Sequence, residues 1–205
     1  MAECFNVPLM TGHDHKSFLA SFPPHMRAEL TQTSDRPALL HLAGHITVLA
    51  GLTGWIASGA PLWGVALLPL GVAMAFLFTL QHECIHRTPF RTGWVNEVAG
   101  TLIGLVLIQP FEWFRAFHLA HHRFTNDPER DPELESPQPT TRPELLWHLV
   151  GVGYWWAKIV VLARNALGQS SDAYVSARQK RRIVWEARSM IAVYAIAIPL
   201  AGAWL

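Results

Sequence analysis

The sequence predicts an all-α integral membrane protein, and its composition indicates this class. Of the 205 residues, 51% are hydrophobic and only 15% are charged, against roughly 25% charged residues in soluble proteins. The mean hydropathy is +0.20. Because the net charge is only +1, the chain has no basic excess for the phosphates of nucleic acid, and we expect no nucleic-acid partner. The unusual feature of the composition is its 11 histidines.

A transmembrane helical hairpin is predicted between Pro37 and His82. This stretch contains no Asp, Glu, Lys or Arg, and the turn sequence SGAP at residues 58–61 breaks it in the middle. Each half has about 21 residues, which at roughly 1.5 Å per residue covers a hydrocarbon core of about 30 Å. Both ends of the hairpin therefore face the same side of the membrane.

Basic residues give the orientation of this hairpin. They precede and follow it, whereas the turn has none: Lys16, Arg27, Arg36, Arg87 and Arg91. The positive-inside rule then places both ends in the cytoplasm. We expect residues 1–34 to form a polar cytoplasmic segment and residues 35–205 to form the membrane domain.

Two later apolar stretches are predicted to lie at the membrane interface, and a third to enter the membrane. Val98 to Phe111 has only 14 residues, about 21 Å as a helix, and contains Pro110. Leu145 to Ala163 is longer, but it contains three tryptophans, and a crossing would put the basic cluster at residues 178–188 outside. The uncharged stretch from Ser189 to Leu205 is the start of a third span.

Two groups of histidines are candidates for the chemistry, QHECIH at residues 81–86 and FHLAHH at residues 117–122. On a helix, each group places its imidazoles within about 100° of one another. By the topology above, both groups lie on the cytoplasmic side. Imidazoles that converge at a membrane face are costly to desolvate, and metal ligation accounts for them. The candidate ligands are His82, His86, His118, His121 and His122.

The identity of the metal is open at this point, because HECIH matches the zinc protease motif H-E-x-x-H, in which the glutamate activates water. A membrane zinc metalloprotease through His82, Glu83 and His86 is therefore an alternative. However, a catalytic zinc takes three protein ligands, which leaves most of the second group unused. Five imidazoles suit two metals, and imidazole accommodates iron as well as zinc.

The two groups, followed by the loop RFTNDPERDP at residues 123–132, resemble the first and second histidine boxes of the membrane fatty acid desaturase superfamily. The boxes of that family read H-x(3,4)-H and H-x(2,3)-H-H. The hairpin, the interfacial helices and the basic stretch are similar as well, so the resemblance runs from about Asp35 onward. It implies an all-helical membrane domain with cytoplasmic histidine boxes.

The resemblance also implies an activity. The chain would belong to an oxidoreductase that introduces a double bond into a fatty acyl chain in lipid metabolism, with two Fe ions held by the five histidines and with O2 as co-substrate. Redox-inert zinc does not supply the oxidant such C–H bonds require, whereas iron does. A histidine-box di-iron hydroxylase of a lipid or hydrocarbon is the alternative on the same scaffold. No catalytic side chain is expected beyond the metal ligands.

The family pattern has a third box, of H-x-x-H-H type, and the sequence has no histidine beyond His148. We therefore expect the domain to be incomplete at its C-terminus, as a fragment, as one product of a split gene, or as a chain completed by a partner. We expect the 205 residues alone to be inactive. The electron donor is expected to be external, of ferredoxin or cytochrome b5 type with a reductase. A bacterial inner membrane is favoured over the endoplasmic reticulum.

Several polar residues are candidates to orient ligand imidazoles through the far ring nitrogen. Asn126, Asp127 and Asp131 lie in the loop after the second group, where the alternative is a solvated loop. Glu83 adjoins His82, and its alternative is simple exposure. His41 and His45, spaced i, i+4 near the start of the first span, are candidates for the same role or for interhelical hydrogen bonds.

Overall fold

The computed structural model describes residues 18, 20–136, 138–170 and 172–202. In these ranges every regular element is helical, which confirms the predicted all-α class. The α-helices are α1 (Pro24–Leu30), α2 (Asp35–Ala57), α3 (Leu67–His86), α4 (Gly93–Val106), α5 (Phe111–Phe124), α6 (Arg142–Val150), α7 (Val152–Ala166) and α8 (Ala177–Gly202), with 3₁₀ segments at Trp63–Ala66 and Pro132–Glu135. Most of the predicted N-terminal segment and the last three residues of the third span lie outside the described residues.

Helices α2 and α3 form the predicted hairpin, and the break falls at the predicted turn. Helix α2 ends at Ala57, and Leu62 adopts the left-handed conformation, with φ of 63°, before the chain enters α3. His45 on α2 donates a hydrogen bond from Nε2 to the carbonyl oxygen of Ala73 on α3, at 2.9 Å. His45 thus makes one of the interhelical bonds that its position suggested.

Among the described residues, three segments are long and apolar enough to cross a membrane: Pro24–Ala57, Trp63–His86 and Ala177–Gly202. They correspond to the two halves of the hairpin and to the third span. One face of α3 is covered by apolar side chains that leave more than half of their surface exposed, at Leu68, Val72 and Phe76. A helical face of this kind is suited to lipid contact, because lipid tails are as apolar as the side chains themselves.

Helices α4 and α5 meet at an elbow with a bend of 104°. At the elbow the backbone N–H of Gln109 donates to Gly104 O at 2.8 Å. Two glycines of α4 allow this close approach, because a Cβ on Gly104 would overlap the carbonyl oxygen of Gln109, and a Cβ on Gly100 would overlap the Phe111 ring. The prediction of one interfacial helix at Val98–Phe111 is therefore wrong in its bounds.

The stretch predicted as one helix at Leu145–Ala163 is also divided. Gly151, with φ of 75°, ends α6 and begins α7, and the two helices are bent by 57°. Glycine adopts this left-handed conformation at little cost, which makes it a common residue at helix ends. Each bent pair has the length and composition of a broken span or a re-entrant loop, so the location of both pairs at the interface stays a prediction.

Helix α8 begins at Ala177, well before the predicted start of the third span at Ser189. Its first half, which carries the basic cluster, packs against α5 and α7. A chain of ion pairs joins this half of α8 to α5, α4 and the end of α3; in order, its members are Arg182, Glu112, Arg115, Glu97 and Arg87. The α4–α5 bend and this polar network bring the two histidine groups side by side.

Candidate metal centre

The first histidine group occupies the last turns of α3. His82 and His86 are one turn apart, and the helix ends immediately afterwards because Arg87 adopts the left-handed conformation with φ of 57°. Gln81, which is fully buried, donates from Nε2 to Gly100 O at 3.3 Å and to Gln109 O at 3.0 Å. These hydrogen bonds fix the end of α3 against the α4–α5 elbow, so the histidines project from a rigid support.

The second group lies on α5, a 14-residue amphipathic helix. Its buried face includes Trp113, Phe114 and His118, the last only 5% exposed. The Phe114 ring lies 5.6 Å from the His118 ring, measured between centroids, and packs on Phe78 of α3 at 5.5 Å. The apolar face of α5 therefore docks the second group directly above the end of α3.

The structure brings four of the five predicted ligands into one cluster. Each offers one ring nitrogen, and these four nitrogens lie within 4.8 Å of one another; the residues are His82, His86, His118 and His122. The Nε2 atom of His118 is central, because it lies 2.9 Å from Nε2 of His86 and 2.9 Å from Nε2 of His122. The His82 ring packs on the His118 ring with centroids 4.3 Å apart.

This arrangement fits a transition-metal ion. Nitrogens held on one ion by bonds of roughly 2.0–2.1 Å lie about 3–4 Å apart, and the nitrogens here are 2.9 Å apart in two pairs and within 4.8 Å overall. Burial and the neighbouring imidazoles lower the pKa of His118 to about 4. The ring is therefore neutral at physiological pH and keeps a lone pair for a metal. Nε2 of His118 lies near two other imidazole nitrogens but carries one proton at most. Hydrogen bonds alone therefore give the ring nitrogens of this cluster too few protons to share.

His121 is the predicted ligand that lies outside this four-histidine cluster. Its ring is 5.7 Å from the His122 ring and 6.3 Å from the His118 ring, measured between centroids. Its Nδ1 donates to Asp131 Oδ1 at 2.9 Å. Because the carboxylate accepts from Nδ1, the Nε2 atom of His121 retains its lone pair.

Carboxylates contact the far ring nitrogen of two of the histidines. Asp131, 3% exposed, binds His121 and also accepts the backbone N–H groups of Asn126 at 2.8 Å and Glu133 at 3.0 Å. Although burial raises the pKa of Asp131, the hydrogen bonds from His121 and from these N–H groups hold it below its usual range. The candidate Asn126 is therefore linked to His121 through its backbone N–H and Asp131.

Glu83 is the second of these carboxylates. Its Oε1 accepts from Nδ1 of His82 at 3.1 Å, and its Oε2 accepts from the Thr88 hydroxyl at 2.6 Å. His82 is consequently oriented with Nε2 free, in the same manner as His121. Buttressing of this kind is typical of metal-binding histidines, since it fixes the tautomer and the ring plane.

Several residues that matter to the site were not predicted from the sequence. Glu186 on α8 accepts two backbone N–H groups at the start of α5. Asp172 accepts from Trp113 Nε1 at 3.0 Å and from Arg164 and Ser170. Glu186 is the one acidic residue within the sequence of α8. A single acidic residue in an otherwise basic and apolar helix indicates a specific partner, so this signal was present in the sequence. Nothing local in the sequence pairs Asp172 with Trp113.

Comparison with known proteins identifies the family. The family model described as "Fatty acid desaturase" matches residues 60–205. An sn-1 oleoyl-lipid 12-desaturase of Picosynechococcus sp. is 28% identical over 147 residues, which cover 68% of this chain and 40% of that protein. The sn-1 oleoyl-lipid 12-desaturase of Anabaena variabilis is 31% identical over 125 residues, which cover 53% of this chain and 36% of that protein.

A third relative, an acyl-lipid 8-desaturase of Rebecca salina, is 26% identical over 152 residues, which cover 67% of this chain and 35% of that protein. The chain thus spans less than half the length of these relatives. No solved structure gives a significant match. The family model covers well over half of the chain, and it includes both histidine groups. On this basis, the chain belongs to the fatty acid desaturase family.

Proposed function

We propose that this chain is part of a membrane enzyme that introduces a double bond into the acyl chain of a lipid. The observation that carries the proposal is the cluster of His82, His86, His118 and His122, in which histidines from two separate helices converge within 4.8 Å. Membership of the fatty acid desaturase family supports the reaction, and the names of the relatives support a lipid-linked acyl substrate.

The proposed metals are two iron ions. The four-histidine cluster would hold the first, and His121, with its free Nε2 beside the cluster, would contribute to the second. Iron bound there would supply, with O2 and two electrons, the oxidising chemistry that removes hydrogens from an acyl CH2–CH2 pair. The ligand set agrees with this, because imidazole nitrogen is a suitable donor for iron.

The side chains of this chain have three tasks in the proposal. Glu83 and Asp131 keep the far nitrogens of His82 and His121 protonated, so that the other nitrogen of each ring faces the metals. Gln81 holds the end of α3 in register with α4. Phe114, 6% exposed, packs against the His118 ring and covers that side of the cluster with an apolar side chain.

The contacts of Glu83 argue against a zinc protease. In H-E-x-x-H enzymes the glutamate must reach the metal-bound water as general base. Here one oxygen of Glu83 is occupied by His82 Nδ1 and the other by the Thr88 hydroxyl. The glutamate is thus engaged in orienting a ligand, and His118 and His122 would also be superfluous in such a site.

We further propose that the histidine groups face the cytoplasm of a bacterial inner membrane, and that electrons come from an external ferredoxin or cytochrome b5 type donor with its reductase. The basic residues that flank the hairpin support this orientation. The two relatives from Picosynechococcus and Anabaena support a bacterial membrane.

Metal analysis and lipid analysis test the proposal together. The chain is purified from iron-supplied cells, and it is also expressed with a polypeptide that supplies an H-x-x-H-H segment, in a host that lacks a desaturase. We expect bound iron, and new double bonds in the acyl chains detected by mass spectrometry. His122→Ala should abolish the new double bonds and remove the iron of the four-histidine cluster, whereas His148→Ala, on an exposed part of α6, should change neither. Stoichiometric zinc, or hydroxylated lipid as the product, would contradict the proposal.

A further inference from the structure

The helix that carries the second histidine group lacks a cap of its own. Helix α5 follows Pro110, which has no side chain able to accept a hydrogen bond and makes no cap bond. The first N–H groups of any helix have no partner within that helix. Because the N-terminus of α5 is buried, with Phe111 1% exposed, water does not replace the missing partner.

Glu186 of α8 supplies the missing acceptors. Its Oε1 accepts the N–H of Phe111 at 2.9 Å, and its Oε2 accepts the N–H of Glu112 at 2.8 Å. Each oxygen thus takes one of the unpartnered donors. An acidic side chain at this position also lies at the positive end of the helix dipole.

A second contact holds the same turn. Arg182, one turn before Glu186 on α8, places Nη1 at 3.5 Å from Oε1 of Glu112. Helix α8 therefore fixes the first turn of α5 through its backbone and through a side chain. The two elements lie 75 residues apart in the sequence, so the contact defines their tertiary arrangement.

The histidines depend on the position of that turn. His118 lies seven residues after Phe111, about 10 Å along a helix at roughly 1.5 Å per residue. Because α5 is short, a displaced or unwound first turn changes the axis on which His118 and His122 stand. Their partners His82 and His86 are held separately, on α3.

We infer that Glu186 is a positioning residue for the metal centre: by capping α5 from α8, its carboxylate sets the second histidine group against the first. This inference rests on the proposed metal centre. Glu186 contacts none of the histidines. Its role in positioning them therefore acts through the first turn of α5.

The test uses the purified chain in detergent micelles and has two readouts. Amide hydrogen exchange, followed by mass spectrometry, reports on the first turn of α5. Titration with Co²⁺, whose visible absorption depends on its ligands, reports on the four-histidine cluster. The variants are Glu186→Ala, which removes both acceptors, and Glu186→Gln, which keeps one acceptor in the same shape. The control is Tyr194→Phe, which removes a hydrogen bond from α8 to Leu105 O on α4.

We expect exchange in the first turn of α5 to be fastest in Glu186→Ala, intermediate in Glu186→Gln, and unchanged in Tyr194→Phe. Co²⁺ affinity should fall about tenfold in Glu186→Ala, with an altered spectrum, less in Glu186→Gln, and not at all in the control. Unchanged exchange would overturn the inference, and so would faster exchange with wild-type Co²⁺ affinity and spectrum. If the wild-type chain binds no Co²⁺, the metal centre fails and the positioning role with it, while the exchange data still report on the cap.

Discussion

Asp131→Asn is expected to weaken metal binding at the second histidine group. In the structure the Asp131 carboxylate accepts three hydrogen bonds, from Nδ1 of His121 at 2.9 Å, from Asn126 N at 2.8 Å and from Glu133 N at 3.0 Å. An asparagine of the same shape offers one oxygen and one NH2 group. All three partners of Asp131 are N–H donors, so the NH2 group of the asparagine must point at one of them, either the imidazole N–H or a backbone N–H. That hydrogen bond is then lost.

The size of the effect follows from which contact is lost. The backbone N–H groups are fixed by the loop, whereas the His121 ring is free to rotate or to change tautomer, so the imidazole contact yields first. Loss of a partner on the far nitrogen of a ligand costs about 10- to 100-fold in metal affinity. We therefore expect the dissociation constant for Co²⁺ at the His121 position to rise by a factor in this range, with Co²⁺ binding to the four-histidine cluster and the helix content unchanged.

Asp127→Asn is the matched control. Asp127 lies in the same loop and accepts from Arg130 Nε at 2.7 Å and from Glu129 N at 3.0 Å, but it contacts no histidine. The dissociation constants of both variants are measured by competition with a chelator, with circular dichroism as the check on folding. Equal affinities for the two variants, or a loss in Asp127→Asn alone, would refute the reasoning that Asp131 acts through His121.

Three further outcomes are expected. His118→Ala should remove at least half of the bound iron, whereas His121→Ala should leave the iron of the four-histidine cluster in place, because His121 lies outside that cluster; complete loss of iron from His121→Ala in elemental analysis would contradict two separate positions. Gly100→Ala should destabilise the chain, since overpacking against the Phe111 ring costs about 1–3 kcal/mol and outweighs the roughly 1 kcal/mol gain in helix propensity. Gly71→Ala places its methyl group where no other atom lies within 4 Å, so this substitution should stabilise the chain. Thermal unfolding of both variants measures the two effects. A single cysteine at Gln179 should react with an impermeant thiol reagent only from the cytoplasmic side, and labelling from outside would reverse the proposed orientation.

The hairpin could be predicted from the sequence because its signal is local. The absence of charge between Pro37 and His82, with a turn sequence at residues 58–61, leaves few alternatives for a chain in a membrane. The observed helices α2 and α3 end and begin close to that turn. The spacing of His82 and His86 likewise implies a shared helix face wherever the helix packs.

His118 and His122 lie in the four-histidine cluster and His121 does not. This difference in direction follows from helix geometry and cannot be seen in the motif itself. At about 100° per residue, His118 and His122 lie about 40° apart, whereas His121 lies about 60° from His118 on the other side. One helix therefore directs two of its imidazoles into the cluster and the third toward Asp131. The motif H-x-x-H-H identifies the residues, and the period of the helix separates their directions.

The bends and the long-range caps could not be predicted, since they depend on tertiary contacts. Leu145 to Ala163 is a mostly apolar stretch, and the propensity of its neighbours does not show that Gly151 adopts the left-handed conformation. The contact of Glu186 with Phe111 depends on where α8 packs. Local patterns locate helices and ligands, but the elements that hold them in place come from distant parts of the chain.

The cap on α5 has a consequence for the order of events during synthesis. Glu186 leaves the ribosome 75 residues after Phe111, and at about 5–20 residues per second this interval is roughly 4–15 s. During that time both histidine groups have been made, but the helix that carries the second has no partner for its first N–H groups. Metal that arrives early meets ligands not yet held at their final spacing. Under the proposed positioning role of Glu186, metal would therefore bind at its final spacing only after α8 has been made and has packed against α5.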